Sequence, residues 1–187
     1  MPTRAFFSRQ TWSLLLSGLL LLTLFGTSAA HADEYAEVNR LIGARQFSQA
    51  LASADKYLAS KPRDPQMRFL KGVIQGETAE IGDAMETFTK ITEDYPELPE
   101  PYNNLAVLHA SQSQFDKARQ ALEMAIRLNP RYATAHENLG DIYARLASQS
   151  YSRALQLDAG NAGLPPKLTL IGQLLAPAVN ATPVKAP

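Results

Sequence analysis

The sequence predicts an all-α fold built from tandem helical hairpins. Three blocks of equal length, which start at a constant spacing along the chain, carry the same pattern of side chains. They are Phe47–Pro62, Ile81–Pro96 and Phe115–Pro130. In each block an alanine at the fourth position is followed by apolar residues four and seven positions later, and a proline closes the block. A recurrence of about 34 residues indicates one supersecondary unit per repeat.

Each block is expected to form one amphipathic helix. The alanine lets a neighbouring helix approach closely, and the apolar residues that follow lie on the same helix face. The closing proline pushes the residue before it out of the α region, so the helix is expected to end just ahead of it. The matched positions are Ala50, Ala54 and Tyr57, then Ala84, Phe88 and Ile91, then Ala118, Leu122 and Ala125.

A second helix is expected upstream of each block, so that the unit is helix, short turn, helix. The clearest example has its apolar and aromatic residues at helical spacing, at Tyr102, Leu105, Ala106 and His109.

The segment from Pro99 to Tyr132 resembles the tetratricopeptide repeat (TPR) family along its whole length. Tyr102 takes the usual aromatic place, and Leu105-Ala106 take the place of the usual Leu-Gly pair. The repeat before it departs from the pattern at Lys71, and the first repeat has an irregular opening helix. The resemblance implies a short TPR-type solenoid, a right-handed superhelix of hairpins in a domain over residues 33–161, with repeats at about 31–64, 65–98, 99–132 and a truncated 133–161.

The fourth repeat lacks its turn. Gly140 takes the glycine position of the opening helix, yet Ala154 follows its counterpart Ala125 five residues sooner than the repeat spacing requires. Five residues containing the turn are therefore missing, and no glycine or proline interrupts Asp141–Asp158. We predict one long fused helix over about Thr134–Asp158, which closes the array because the last repeat of a solenoid has no neighbour.

Two further segments follow the repeats. After a break rich in glycine, asparagine and proline, Lys167–Leu175 is expected to form a short apolar helix within residues 162–175. Such a helix is marginal alone, so it is expected to dock on the long helix. Residues 176–187 are rich in proline and alanine and are expected to be disordered.

Residues 1–32 have the features of a Sec-type signal peptide. Arg4 and Arg9 precede an apolar run over Thr11–Gly26, and Ala30-His31-Ala32 offers a small-x-small cleavage site before Asp33. The run is shorter than the ~20 residues that span a bilayer. We expect cleavage between Ala32 and Asp33 and a periplasmic mature chain that is not inserted in the membrane. An uncleaved anchor is the alternative.

Composition and motifs argue against several other classes of function. The chain has no cysteine, and its 18 basic residues balance 18 acidic ones, so neither a thiolate site nor a nucleic-acid partner is expected. Ser53 and Lys56 match Ser-x-x-Lys, but no accompanying motif is present. His109 and His136 fall on packing positions of the repeat. No catalytic residue, metal site or cofactor is expected.

The resemblance implies that the opening helices line a concave groove. Asn104 and Asn138 take the same position in successive repeats, and their amides could pair with the backbone of an extended peptide. The alternative is that asparagine is simply frequent at this position of the family. The apolar members suit an apolar side chain, and Arg145 is the only obvious partner for a carboxylate. The predicted groove residues are Phe69, Leu70, Val73, Asn103, Asn104, Val107, Glu137, Asn138, Asp141 and Arg145.

Together these features predict an exported adaptor that binds another protein or a peptide in this groove. The resemblance implies a role in cell-envelope assembly, such as outer-membrane protein handling or cell-wall synthesis. The alternative is a structural protein that forms homo-oligomers through its first repeat or its long terminal helix, without a groove function.

Overall fold

The computed structural model describes residues 26–176, with side chains from residue 34 onward. This range contains eight α-helices and no strand, which confirms the predicted all-α fold. Most of the predicted leader and the predicted tail from residue 177 lie outside the described residues. The helices are α1 (Gly26–Gly43), α2 (Phe47–Ser60), α3 (Pro65–Glu77), α4 (Ile81–Asp94), α5 (Pro99–Ser111), α6 (Phe115–Leu128), α7 (Ala133–Leu157) and α8 (Leu164–Leu174).

The described residues form two compact units, which divide between Thr78 and Ala79. In the first unit, each of α1, α2 and α3 contacts the other two. In the second unit, α4 contacts α5, α5 and α6 form a hairpin, α7 packs on both, and α8 packs on α7. The buried core of the first unit contains Val38, Leu41, Ala50, Ala54, Tyr57, Met67, Leu70 and Ile74. A buried cluster of the second contains Ala106, Ala118, Leu122, Ala125, Ala135 and Ile142.

The recurrence in the sequence predicted which side chains are buried. All nine matched positions of the three blocks are between 0% and 5% exposed. The three alanines of the fourth position are fully buried, whereas Phe88 and Leu122 bring larger side chains to the position four residues later. Close approach at an alanine and filling by a larger neighbour account for this alternation.

The closing helices end where the prolines require it. α2, α4 and α6 are each 14 residues long and stop two residues before Pro62, Pro96 and Pro130. The residue between helix and proline has a φ of −136°, −138° or −135° in the three repeats. With ψ values of 66°, 65° and 93°, all three residues lie outside the α region, which a following proline disfavours.

The turns inside the hairpins recur at the spacing of the repeat and show what the fourth repeat has lost. Arg45, Ala79 and Ser113 take the same place in the three turns and have φ values of 56°, 61° and 59°. The next position in this series, Ala147, is helical. α7 runs unbroken over 25 residues, and it starts and ends one residue earlier than predicted. The long fused helix is therefore confirmed.

The two ends of the described range bear on other expectations. α8 lies where a short helix was expected and contacts α7, with Leu164 buried and Lys167 Nζ 5.1 Å from the centre of the Tyr151 ring. At the other end, α1 runs through the predicted cleavage site after Ala32, so cleavage stays a prediction. None of the helices in the described range is both long and apolar enough to cross a membrane.

Candidate binding groove

The opening helices α5 and α7 are neighbours in the second unit, and one hydrogen bond between them fixes their register. Asn138 Nδ2 donates to Asn103 Oδ1 over 2.8 Å. Asn103 is only 6% exposed, so its amide oxygen is withdrawn from water and needs a donor within the protein. This hydrogen bond therefore fixes the axial position of α7 relative to α5.

A cavity of about 160 Å³ lies between α5, α6 and α7. Most of its lining is apolar, and the cavity is open to solvent at Val107, which is 49% exposed. Small-molecule sites usually have about 300–1,000 Å³, so this cavity suits a single side chain better than a whole ligand. It is lined by Ala106, Val107, Ala110, Leu122, Asn138, Asp141, Ile142 and Arg145.

Two opposite charges stand at this cavity. Asp141 and Arg145 are one helical turn apart on α7, and both are exposed. The Arg145 guanidinium lies 5.8 Å from the centre of the Phe115 ring, within the range of a cation–π contact that holds it near α6. Within residues 34–176 neither side chain belongs to an ion pair. The cavity therefore offers an anionic acceptor and a cationic donor beside an apolar lining.

Four predicted groove residues come together at this cavity: Val107, Asn138, Asp141 and Arg145. Glu137 is exposed on the same helix, α7, but does not line it. The other four lining residues, Ala106, Ala110, Leu122 and Ile142, were not in the predicted set. The groove was expected to use selected positions of the opening helices, whereas Leu122 comes from closing helix α6, and Ala106 and Ile142 are buried packing residues.

Three predicted groove residues differ in their surroundings from the expectation. Leu70 and Asn103 are 9% and 6% exposed, and both serve packing, Leu70 within the core of the first unit and Asn103 as the acceptor for Asn138. Asn104 is half-buried, and its Nδ2 donates to the Glu100 backbone oxygen of its own helix over 2.9 Å. Asn104 and Asn138, the two amides expected to pair with a peptide backbone, therefore each donate to an acceptor within the protein. Their pairing with a peptide stays a prediction.

Two other predicted groove residues, Phe69 and Val73, lie half-buried on α3 of the first unit. That unit has its own broad cavity of about 630 Å³, lined by Glu34, Glu37, Ser53, Lys56, Tyr57 and Ser60. It brings Ser53 and Lys56 to one surface, but no hydrogen bond joins them in the described range. A nucleophile activated by a base needs such a contact.

A polar network that the sequence did not reveal ties the three helices of the first unit together. The Tyr35 hydroxyl donates to Asp64 Oδ2 over 2.6 Å and lies 2.9 Å from the Tyr57 hydroxyl, which lies 3.3 Å from the same carboxylate oxygen. Asp64 also caps α3, because its Oδ1 accepts from the Met67 N–H over 2.8 Å. Partial burial, followed by the bond to Asp64, raises the pKa of Tyr35 well above its ordinary value.

The two histidines of the described range with side chains make contacts at the turns. His109 Nδ1 lies 3.0 Å from Gln114 Oε1, and His136 Nε2 lies 3.1 Å from the Pro130 backbone oxygen. Among the described residues, no group of three or more histidine, cysteine, aspartate or glutamate side chains is placed to hold a metal ion.

Comparison with curated proteins finds short stretches of similarity. The chain is 36% identical over 73 residues to the tetratricopeptide repeat domain-containing protein PYG7, chloroplastic, of Arabidopsis thaliana, covering 36% of this chain and 24% of that protein. It is 34% identical over 83 residues to a UDP-N-acetylglucosamine–peptide N-acetylglucosaminyltransferase of Giardia intestinalis, covering 42% of this chain and 6% of the enzyme. The chain thus spans a quarter or less of the length of these relatives.

Among solved structures, the first TPR of Spaghetti (RPAP3) bound to HSP90 peptide SRMEEVD has the same fold, with a TM-score of 0.58 and 14% identity. The match covers 62% of this chain and 92% of that one. Two family models also match, one described as tetratricopeptide repeat over residues 35–99 and one as TPR repeat over residues 108–146. Together they cover more than half of the sequence, and the chain belongs to the tetratricopeptide repeat family.

Proposed function

We propose that this protein is a protein-interaction adaptor that binds a peptide segment of another protein at the α5–α7 groove. The observation that carries this proposal is the cavity lined by exposed Val107 and edged by Asn138, Asp141 and Arg145. An aliphatic side chain of the peptide fills the cavity. The Asn138 amide and the Arg145 guanidinium bond to the peptide backbone or to a carboxylate.

The size of the cavity and the fold likeness support a peptide rather than a small molecule. A volume of about 160 Å³ accepts one side chain, and a peptide extends beyond it along the two opening helices. The structure of similar fold that carries an HSP90 peptide supports the same class of partner, since it places a peptide on a TPR unit.

We also propose that the protein acts in the periplasm, in cell-envelope assembly. This part is supported by the leader features of the sequence, namely Arg4 and Arg9 before the apolar run and Ala30-His31-Ala32 after it. Fractionation of cells, with N-terminal sequencing of the isolated chain, tests it. A mature chain starting at Asp33 in the periplasmic fraction is expected, and an intact leader in the membrane fraction would contradict it.

The groove is tested with peptides selected from a random library on the purified protein. The selected sequences are expected to share an aliphatic residue. Replacing Val107 with arginine puts a charge into the cavity and removes apolar surface that the peptide would bury. Val107 is 49% exposed, so this burial contributes about half of the roughly 1.5–3 kcal/mol of a fully buried side chain. Binding should weaken at least about 3- to 12-fold, measured as Kd by fluorescence polarisation.

Leu128→Arg is the matched control, because Leu128 is also an exposed apolar residue but lies at the end of α6, outside the cavity lining. This variant should bind the selected peptides as the unchanged protein does. Peptides that bind Val107→Arg with unchanged Kd would show that the partner does not use this groove.

A further inference from the structure

The first half of α7 lacks the closing helix that covers the equivalent surface of α5. Ala106 on α5 is 1% exposed beneath α6, whereas Gly140, its counterpart in the next repeat, is exposed. Apart from its chain neighbours and the nearby backbone of α7, a methyl group placed on Gly140 would meet no atom within 4 Å. Tyr143, the counterpart of half-buried His109, is 51% exposed. The side of α7 that would pack against a closing helix is therefore exposed.

The second half of α7 carries the side chains of a closing helix. In the third repeat, α6 packs through a buried alanine–apolar–alanine set, Ala118, Leu122 and Ala125. The second half of α7 has the same spacing at Ala147, Tyr151 and Ala154. The chain thus contains the closing helix that the first half of α7 requires.

These two surfaces cannot meet within one chain. Gly140, Ala147 and Ala154 are spaced by seven residues, so they lie on one side of a straight helix. A hairpin would bring the two halves together, but the position of the turn is helical at Ala147. The surface of the first half of α7 that would receive a closing helix and the closing-helix surface of its second half therefore follow one another along the same side of α7.

We infer that two copies of this chain pair through antiparallel α7 helices, so that the first half of each is covered by the second half of the other. The fourth hairpin is then completed twice, across a twofold axis near the middle of α7. Exchange of an identical element between copies is favoured when the connecting loop is too short to fold back, and here the loop is absent.

The charges on this surface are compatible with a second copy. The side chains that share this side of α7 are His136, Gly140, Tyr143, Ala147, Tyr151 and Ala154, and none of them is an aspartate, glutamate, lysine or arginine. Two copies can therefore meet here without burying a formal charge, which would be costly. The groove residues Asp141 and Arg145 lie at other angles around the helix and are not used.

α8 covers part of the second half of α7 in the single chain. Lys167 lies over the ring of Tyr151, and Leu164 of α8 is buried, whereas Leu170 and Leu174 remain 64% and 68% exposed, so part of the apolar surface of α8 stays in contact with water. The first half of the partner's α7, which carries Gly140, packs on Ala147 and Tyr151 in the pair, and α8 shifts away from Tyr151.

A cysteine experiment tests the pairing, because the chain has no native cysteine. In one straight helix Gly140 and Ala147 are about 10.5 Å apart, beyond the roughly 7 Å between Cα atoms that a disulfide can join. The double variant Gly140→Cys, Ala147→Cys is therefore expected to form only cross-links between copies. Gln149→Cys, Gln156→Cys has the same spacing on the opposite, exposed side and should stay monomeric on denaturing gels.

Sedimentation of the full chain with single substitutions gives the second arm. Gly140→Arg introduces a long side chain into open space in the single chain but blocks the partner helix, so a monomer with unchanged helicity is expected. Gly82→Arg makes the same change where a Cβ also meets nothing, on α4, and should remain dimeric. A monomeric unchanged protein, or a dimer that survives Gly140→Arg and gives no Gly140–Ala147 cross-link, would overturn the inference.

Discussion

Replacing Asp64 with alanine should strongly destabilise the first unit. One oxygen of this carboxylate caps α3 at the Met67 N–H, and the other accepts from Tyr35 and lies near Tyr57. Asp64 therefore links the start of α3 to residues of α1 and α2. Alanine removes both functions at once and leaves the half-buried Tyr35 hydroxyl without its acceptor.

The magnitude follows from the two contacts. Loss of an N-cap side chain costs about 1 kcal/mol. A hydrogen bond to a charged group contributes about 1.5–3 kcal/mol, with the lower end appropriate to this partly exposed site. We expect the free energy of unfolding to fall by about 2–4 kcal/mol, a large share of the roughly 5–15 kcal/mol of a typical domain.

Urea denaturation followed by circular dichroism measures this change, and hydrogen exchange of the α3 amides assigns it to the first unit. Asp64→Asn keeps the capping oxygen but loses the charge, so it should lose about half as much stability. Tyr35→Phe removes only the hydroxyl and should lose about 1–2 kcal/mol. An Asp64→Ala protein with unchanged unfolding midpoint and unchanged α3 exchange would refute the network.

Three further outcomes are expected. The pKa of Tyr35 is raised in the folded chain, so the neutral phenol stabilises the fold below the ordinary pKa of tyrosine, about 10. This stabilisation is lost as the pH rises further, so the free energy of unfolding of Tyr35→Phe should decline less steeply at alkaline pH than that of the unchanged protein. Asn138→Ala leaves the buried Asn103 oxygen without its donor and should cost about 1–3 kcal/mol by urea denaturation, whereas Asn104→Ala should cost less than about 0.5 kcal/mol. Phe88→Ala empties a fully buried position and should cost about 3–5 kcal/mol by the same measurement, and a loss below about 1 kcal/mol would contradict its burial.

The repeat register could be predicted closely because its causes are local. A proline keeps the residue before it out of the α region, and an alanine lets a neighbouring helix approach closely. Each of these features can be recognised from a few neighbouring residues of the sequence. The closing helices and the buried positions followed from these features. The absence of a turn in α7 could also be predicted, since no residue there favours leaving the helix.

Contacts between distant residues could not be predicted in the same way. The Asn103–Asn138 bond depends on the height of α7 relative to α5, and the Tyr35–Asp64 bond joins residues 29 positions apart on different helices. Lys71 illustrates the same point. It stands where the repeat usually has an apolar residue, and the structure pairs its Nζ with Asp55 Oδ1 on α2 over 2.7 Å.

The candidate groove was predictable in its general place but not in its detailed lining. Counting positions along the opening helices identified Val107 and Arg145, which are exposed and line the cavity. The same counting also included Leu70 and Asn103, which are buried, because a position number alone does not show how far neighbouring helices close over a residue.

One distance tests most directly whether the repeat builds hairpins and its missing turn leaves a rod. Spin labels on cysteines at Thr134 and Gln156 report the length of α7, in protein diluted with unlabelled chain so that only distances within one copy are measured. A straight helix predicts about 33 Å between the two Cα atoms, whereas the corresponding pair in the third repeat, Glu100 and Arg127, should be about 10 Å apart across the closed hairpin. Equally short separations for both pairs, each about 10 Å, would contradict the fused helix.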